Sequence, residues 1–171
     1  MRYGIDKCHY CLQNGVPIKL PGAVSLNIDD GAEFITKKIY KGGIIVEVVV
    51  GIQQAASKAV LTIAELPKQF LVDVFGYEID SSGVLIEHQM QRAEEFSLLF
   101  ETSLTNGNKC RHAYFHCFAR KPSFETSTVE DAVKLSANSL DMIITGDPVS
   151  ASISSSTNAT IYNNWFNSVY K

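Results

Sequence analysis

The chain has 171 residues and a net charge of −3, from 15 basic and 18 acidic side chains; 46% of residues are hydrophobic and 19% charged. One domain, with or without appendages, fits that length, and the apolar content builds a sizeable core, which excludes a chiefly disordered chain. The mildly acidic balance disfavours a nucleic-acid binder with a basic surface.

The N-terminal Met1–Lys7 has no apolar stretch of the secretory kind. The longest apolar run, Ile44–Ile52, is interrupted by Glu47 and is far too short to span a bilayer. A soluble protein made in the cytosol, with no membrane partner, is the expectation. Four cysteines in this length do not make a disulfide scaffold, so the thiols are expected to be reduced.

Strand signals dominate the chain. Ala23–Ile28 alternates, with Val24, Leu26 and Ile28 on one face and Ala23, Ser25 and Asn27 on the other. Asp29-Asp30-Gly31 supplies turn chemistry after it, and Gly42-Gly43 reads as another turn. Ile44–Val50 is β-branched and apolar on both faces, so it is expected to be covered on both sides, by its own core or by another subunit. The segment Gly51–Lys58 reads as a small, polar loop. Val60–Ile63 predicts a strand leading into the clearest helix. There Pro67 is expected at the first helical position, Phe70, Leu71, Val74 and Phe75 form the apolar stripe, and Gly76 is the left-handed cap.

Two hairpins follow. Tyr77–Asp80 and Val84–Gln89 flank Ser81-Ser82-Gly83, and Phe96–Leu104 and Lys109–Ala119 flank Asn106-Gly107, a strong hairpin signal. Ser127–Ala137 fits either a capped helix or a strand, with extended structure preferred. Leu140–Thr145 predicts a further strand. Residues 149–160 have the composition of a Ser-rich flexible linker, and 161–171 place Ile161, Trp165 and Val169, and Tyr162, Phe166 and Tyr170, at helical spacing. That aromatic tail has three readings: docked on its own domain, an arm that docks on a neighbouring subunit, or disorder. The expected division is a domain over 1–148, the linker over 149–160 and the tail over 161–171. The expected class is mainly β, a β-sandwich or barrel-like domain with one short flanking helix at about 67–75.

The chemistry-bearing residues are sparse. Cys8-His9-Tyr10-Cys11, with Cys110, His112, His116 and Cys117, offers the ligand types zinc prefers. Strict alternation, however, puts Cys110, His112 and His116 on one strand face and Cys117 on the other, which a single tetrahedral site does not use easily. Cysteines serving as small apolar fillers are the simpler reading, with no metal and no cofactor. No dinucleotide fingerprint, Walker loop or nucleophile elbow is present, and no residue argues for catalysis.

The ordered series of segments does carry a resemblance. Lys19–Asp29, Leu61–Gly76, Asp80–Glu87, Phe96–Glu101, Tyr114–Cys117, Arg120–Ser123 and Leu140–Ile144 follow one another as in the phage major tail proteins, which the chain resembles over roughly residues 3–148. These are the tail tube subunits of long, non-contractile phage tails. The resemblance implies a β-sandwich with a flanking helix, assembled into hexameric rings that stack into a tube. Its partners would be further copies of itself, the tape-measure protein and other tail proteins. DNA would pass through the lumen without specific binding, and the protein would reside in the virion. The same architecture serves tube proteins of related injection or secretion systems. A different reading is a zinc-stapled cytosolic binding module. Candidate subunit-interface residues are Ile44, Val46, Val48 and Val50 on the apolar strand, Gln53 and Gln54 in a ring-stacking loop, and Trp165 and Phe166 in the tail.

Overall fold

A computed structural model describes residues 2–13, 15–89, 93–122 and 137–170. Twelve strands and two short helices are present among them: β1 (Arg2–Leu12), β2 (Ile18–Lys19), β3 (Ala23–Asp29), β4 (Ala32–Lys41), β5 (Ile44–Gln54), β6 (Ser57–Ile63), α1 (Lys68–Phe75), β7 (Glu78–Ile79), β8 (Leu85–Ile86), β9 (Phe96–Leu104), β10 (Lys109–Ala119), β11 (Asn138–Ile144), β12 (Ser150–Ser154) and α2 (Ala159–Asn164). The class is mainly β, and every strand pairing is antiparallel. The large sheet runs β2-β1-β9-β10-β11-β6-β3, with β12 also on β10. It curls until β3 returns near β1.

The two faces of this sheet build separate cores. Tyr10, Phe96, Leu98, Leu61, Ile63, Leu140 and Ile144 point to the main core, which α1 joins through Phe70, Val74 and Phe75. Phe70 meets Tyr10, Phe96 and Phe75 edge-on at 4.9, 5.7 and 5.9 Å. Each such fully buried side chain stabilises the fold by about 1.5–3 kcal/mol. An eight-residue helix does not hold alone in water, so this docking is what makes α1 a helix. The opposite face of β1, β9 and β10 carries Cys11, Leu99 and Ala113 under Trp165.

The hairpin of β9 and β10 has the expected bounds. Elsewhere the backbone departs from simple alternation. A bulge between Ala23 and Ser25 turns Val24 outward, while Ala23, Leu26 and Ile28 face the main core. Pro67 is extended (ψ 142°) and occupies the cap rather than the first helical turn, while Gly76 caps the other end at φ 68°. The β1 strand was not evident in the sequence, because register shifts around Tyr3–Asp6 and Asp6–His9 break its period of two.

The β10 strand also has an irregularity between Tyr114 and Cys117, with His116 at φ 51°. This flips the parity. Cys117 therefore faces the main core along with Tyr114, not the opposite face that strict alternation requires. The same break divides one edge of β10 between β12, at Cys110–Tyr114, and β11, at Cys117–Ala119.

The Ser-rich stretch is not an open linker throughout: Ser150–Ser154 forms β12, whose backbone pairs with β10 from Cys110 to Tyr114. Gly51–Gln54 belongs to β5 and is not a loop. The ambiguous Ser127–Ala137 stretch lies outside the described residues, apart from Ala137.

Candidate assembly surface

Among the described residues, the β4 and β5 strands pair only with each other, as a separate two-stranded ribbon. They are inserted between β3 and β6, which are neighbours in the main sheet. The root is tightly specified. Asp29 Oδ1 accepts the Gly31 N–H at 3.1 Å, Asp30 Oδ1 accepts the Ala32 N–H at 3.2 Å, and the Ser57 hydroxyl donates to the Asp30 carbonyl at 3.3 Å. Gly31 sits at φ 62°, and a Cβ there would lie 2.9 Å from the Ala56 carbonyl oxygen, so no other residue is accommodated without a shift. The tip is Gly42-Gly43, both at positive φ. Ten residues of strand carry that tip about 33 Å from the root.

Every described side chain from Ala32 to Gln53 is exposed. The ribbon's apolar content is high: Phe34 is 77% exposed, Ile44 71% and Ile52 69%, and Tyr40, Ile45, Val46, Val48 and Val50 are exposed beside them. The apolar strand is therefore not covered by its own core, contrary to one of the two expectations for it.

Register sorts these residues onto two faces. Pairing of Phe34 with Ile52, Thr36 with Val50, Lys38 with Val48 and Tyr40 with Ile45 makes one face mainly apolar, with Thr36 and Lys38 as its polar positions. Pairing of Glu33 with Gln53, Lys37 with Val49, Ile39 with Glu47 and Lys41 with Ile44 makes the other face mixed. A bulge at Val46 separates the two registers. It is the reason Ile44, Val48 and Val50 do not share a face, as unbroken alternation would have them do.

Of the sequence-selected residues, Ile44, Val46, Val48, Val50 and Gln53 are thus brought together on this ribbon, with Gln54 at its root opposite Ala32. Phe34, Ile35, Ile39 and Tyr40 on β4 were missed. Their signal was the pair of glycines at 42–43, which implies a partner strand folding back along Ile44–Gln54. Trp165 and Phe166 lie elsewhere, on the chain's own second core.

That second core is clasped by charge. Glu101, 1% exposed, accepts from Arg111 Nε at 2.8 Å, the Tyr162 hydroxyl at 2.9 Å and Lys109 Nζ at 3.0 Å, with Lys7 Nζ 3.3 Å away. Burial alone would raise its pKa, but the hydrogen bonds from Arg111, Lys109, Tyr162 and Lys7 outweigh that and hold it at about 2. Arg111 also donates to the Tyr162 carbonyl and lies over the Tyr162 and Phe166 rings at 3.8 and 4.8 Å. The α2 helix is capped by Asn158, whose side chain accepts from Thr160 and Ile161 N–H at 3.1 Å. Trp165 Nε1 donates to the His112 carbonyl at 3.3 Å.

Three of the four cysteines are packing groups in this arrangement, and Cys110 is buried as well. Cys8 and Cys117 face the main core, Cys11 the second. Burial pushes the Cys8 and Cys117 thiols up to about 12. Among the described residues, no group of three or more His, Cys, Asp or Glu side chains is placed to hold a metal ion.

No protein-family model and no curated protein matches the sequence. Among solved structures, the chain aligns with the cryo-EM structure of the anti-feeding prophage cap, a tube-terminating cap, at 12% identity and a TM-score of 0.45, over 90% of this chain and 93% of that one.

Proposed function

We propose that the chain is a structural subunit of a phage tail tube, assembling into stacked hexameric rings that form a channel for genome delivery. The observation that carries this reading is the β4–β5 ribbon, mainly apolar over one face and fully exposed. An isolated two-stranded ribbon is at best marginally stable in water, and exposed apolar surface on this scale marks a protein interface. A subunit that completes its fold against its neighbours accounts for both. The ordered resemblance to major tail proteins supplies the kind of assembly. Its partners would be other copies of itself, the tape-measure protein and other tail proteins, with DNA passing the lumen without specific binding and the protein residing in the virion. The role asks for shape and surface, not for catalytic groups. A tube protein of a related injection system is the same proposal in a different particle.

The test compares the full chain with a variant in which residues 36–50 are replaced by a short turn. Light scattering after gel filtration over a range of concentrations, with negative-stain microscopy, should show rings or tubes for the full chain. The shortened variant should stay monomeric with its thermal stability nearly unchanged. Equal assembly of the two would overturn the reading.

A further inference from the structure

We propose that the tip of the β4–β5 ribbon docks, in a second copy of this chain, into a cleft between β12, the C-terminal segment and the start of β9. This deepens the assembly reading above and rests on it. The cleft is about 560 Å³ and is walled by Leu12, Phe115, Pro148, Ala151, Val169 and Tyr170. Its polar edge is the Glu95 carboxylate, whose Oε1 takes hydrogen bonds from Gln13 Nε2 at 3.0 Å and His116 Nδ1 at 2.7 Å. The Gln13 hydrogen bond, then His116, lowers the Glu95 pKa against the effect of its partial burial. Glu94 is exposed beside it, on an adjoining hollow that also includes Gln13 and Leu12. The cleft is thus an apolar floor with an anionic rim.

The ribbon tip has the complementary chemistry. Tyr40, Ile44 and Ile45 are exposed apolar side chains, and Lys37, Lys38 and Lys41 stand among them. An aromatic ring with an aliphatic neighbour fills the floor, and a lysine meets the carboxylates at the rim. Over the whole chain, acidic residues outnumber basic ones, whereas between Ala32 and Gln54 three lysines face only Glu33 and Glu47. The ribbon is the cationic projection of an anionic molecule.

Geometry makes the contact one between copies. The ribbon root at Ala55–Ser57 borders Ile144–Asp147, directly before Pro148 of the cleft. Root and cleft therefore share one end of the sheet, while the tip stands about 33 Å further out. Every described side chain from Ala32 to Gln53 is exposed, so the ribbon does not fold back into its own cleft. Tip-to-cleft docking joins two different surfaces, a heterologous contact that repeats from copy to copy and closes into a ring when the rotation allows.

The experiment places a photo-reactive benzophenone amino acid at Tyr40 in the full chain and mixes it with isotope-labelled chain. Irradiation should give inter-chain cross-links to peptides containing Phe115–His116 or Val169–Tyr170. In parallel, Lys41→Glu and Glu94→Lys should each raise the concentration needed for assembly by about tenfold, and the double variant should recover most of that loss. Glu94 is chosen because the Glu95–His116 pair then stays intact. Cross-links to another copy's ribbon, or to parts of the main sheet away from the cleft such as β3 and β6, in a protein that still needs residues 36–50 to assemble, would overturn this docking and leave the assembly reading standing. Assembly that survives removal of residues 36–50 would overturn the assembly reading itself. Cross-links confined within one chain would overturn the docking.

Discussion

Glu101 is the residue on which the second core depends. Replacing it with Gln leaves Arg111 buried without its counter-charge, a change that typically costs about 3–5 kcal/mol; urea denaturation of Glu101→Gln should show a loss of that order. The acid dependence has a definite sign. The folded-state pKa of about 2 lies below the ordinary 4.5, so the unfolded chain takes up the proton first as pH falls. The contribution is intact above about pH 4.5, drains away towards pH 2, and should be missing from the pH profile of the Gln variant. This pair was within reach of the sequence. Glu101 and Arg111 sit directly opposite one another in the register set by the turn at Asn106-Gly107, and counting outward from that turn finds them. The deep burial of Glu101 was not legible, because it comes from Tyr162, 61 positions away in the chain.

At the scale of elements, the C-terminal segment docks on its own sheet, one of the three readings the sequence left open. Six residues of α2 do not form a helix without that surface. Trp165→Ala should destabilise the fold by about 3–5 kcal/mol in chemical denaturation, with Cys11, Leu99 and Ala113 left beneath a cavity. The helical spacing of Ile161, Trp165 and Val169, and of Tyr162, Phe166 and Tyr170, was readable from sequence, although the helix itself covers only Ala159–Asn164; the surface that receives the segment was not, since β1 is disguised by its bulges. The ribbon shows the opposite limit. Its β5 strand was evident from its β-branched residues, whereas β4 mixes lysines with apolar residues because neither face is buried within the chain, and burial is what gives a strand its alternating pattern. The bulges between Ala23 and Ser25 and at His116 each reversed a face assignment that a period of two had made. An extra residue in a strand leaves no clear mark in the sequence.

For the whole molecule, the separation of a cationic apolar projection from an acidic body predicts how association proceeds. A tip-to-cleft contact does not saturate at two copies, so sedimentation velocity over increasing concentration should show species growing past the dimer. A distribution that stops at a stable dimer would instead point to ribbons pairing symmetrically with each other. Raising the ionic strength should slow the approach to equilibrium, because steering between opposite charges is screened. The mainly β architecture was legible throughout, through the turn residues and the bounds of β9 and β10. The curl of the sheet and the two-sided cores were not, because they follow from pairings between residues remote in sequence, such as β11 with β6.

Glu47 acquires a second meaning from its position in the ribbon. Between Ile44 and Ile52 it is the sole charged residue, in a stretch that would otherwise be an uncharged β-branched run of the kind that stacks into fibrils. In the single chain that stretch is exposed to water, with the outer edges of the two-stranded ribbon unpaired among the described residues. A single carboxylate then acts as a gatekeeper, imposing charge repulsion on any in-register stack of identical chains. Glu47→Val should leave the body of the protein folded yet move the expressed chain from the soluble fraction into thioflavin-binding aggregates.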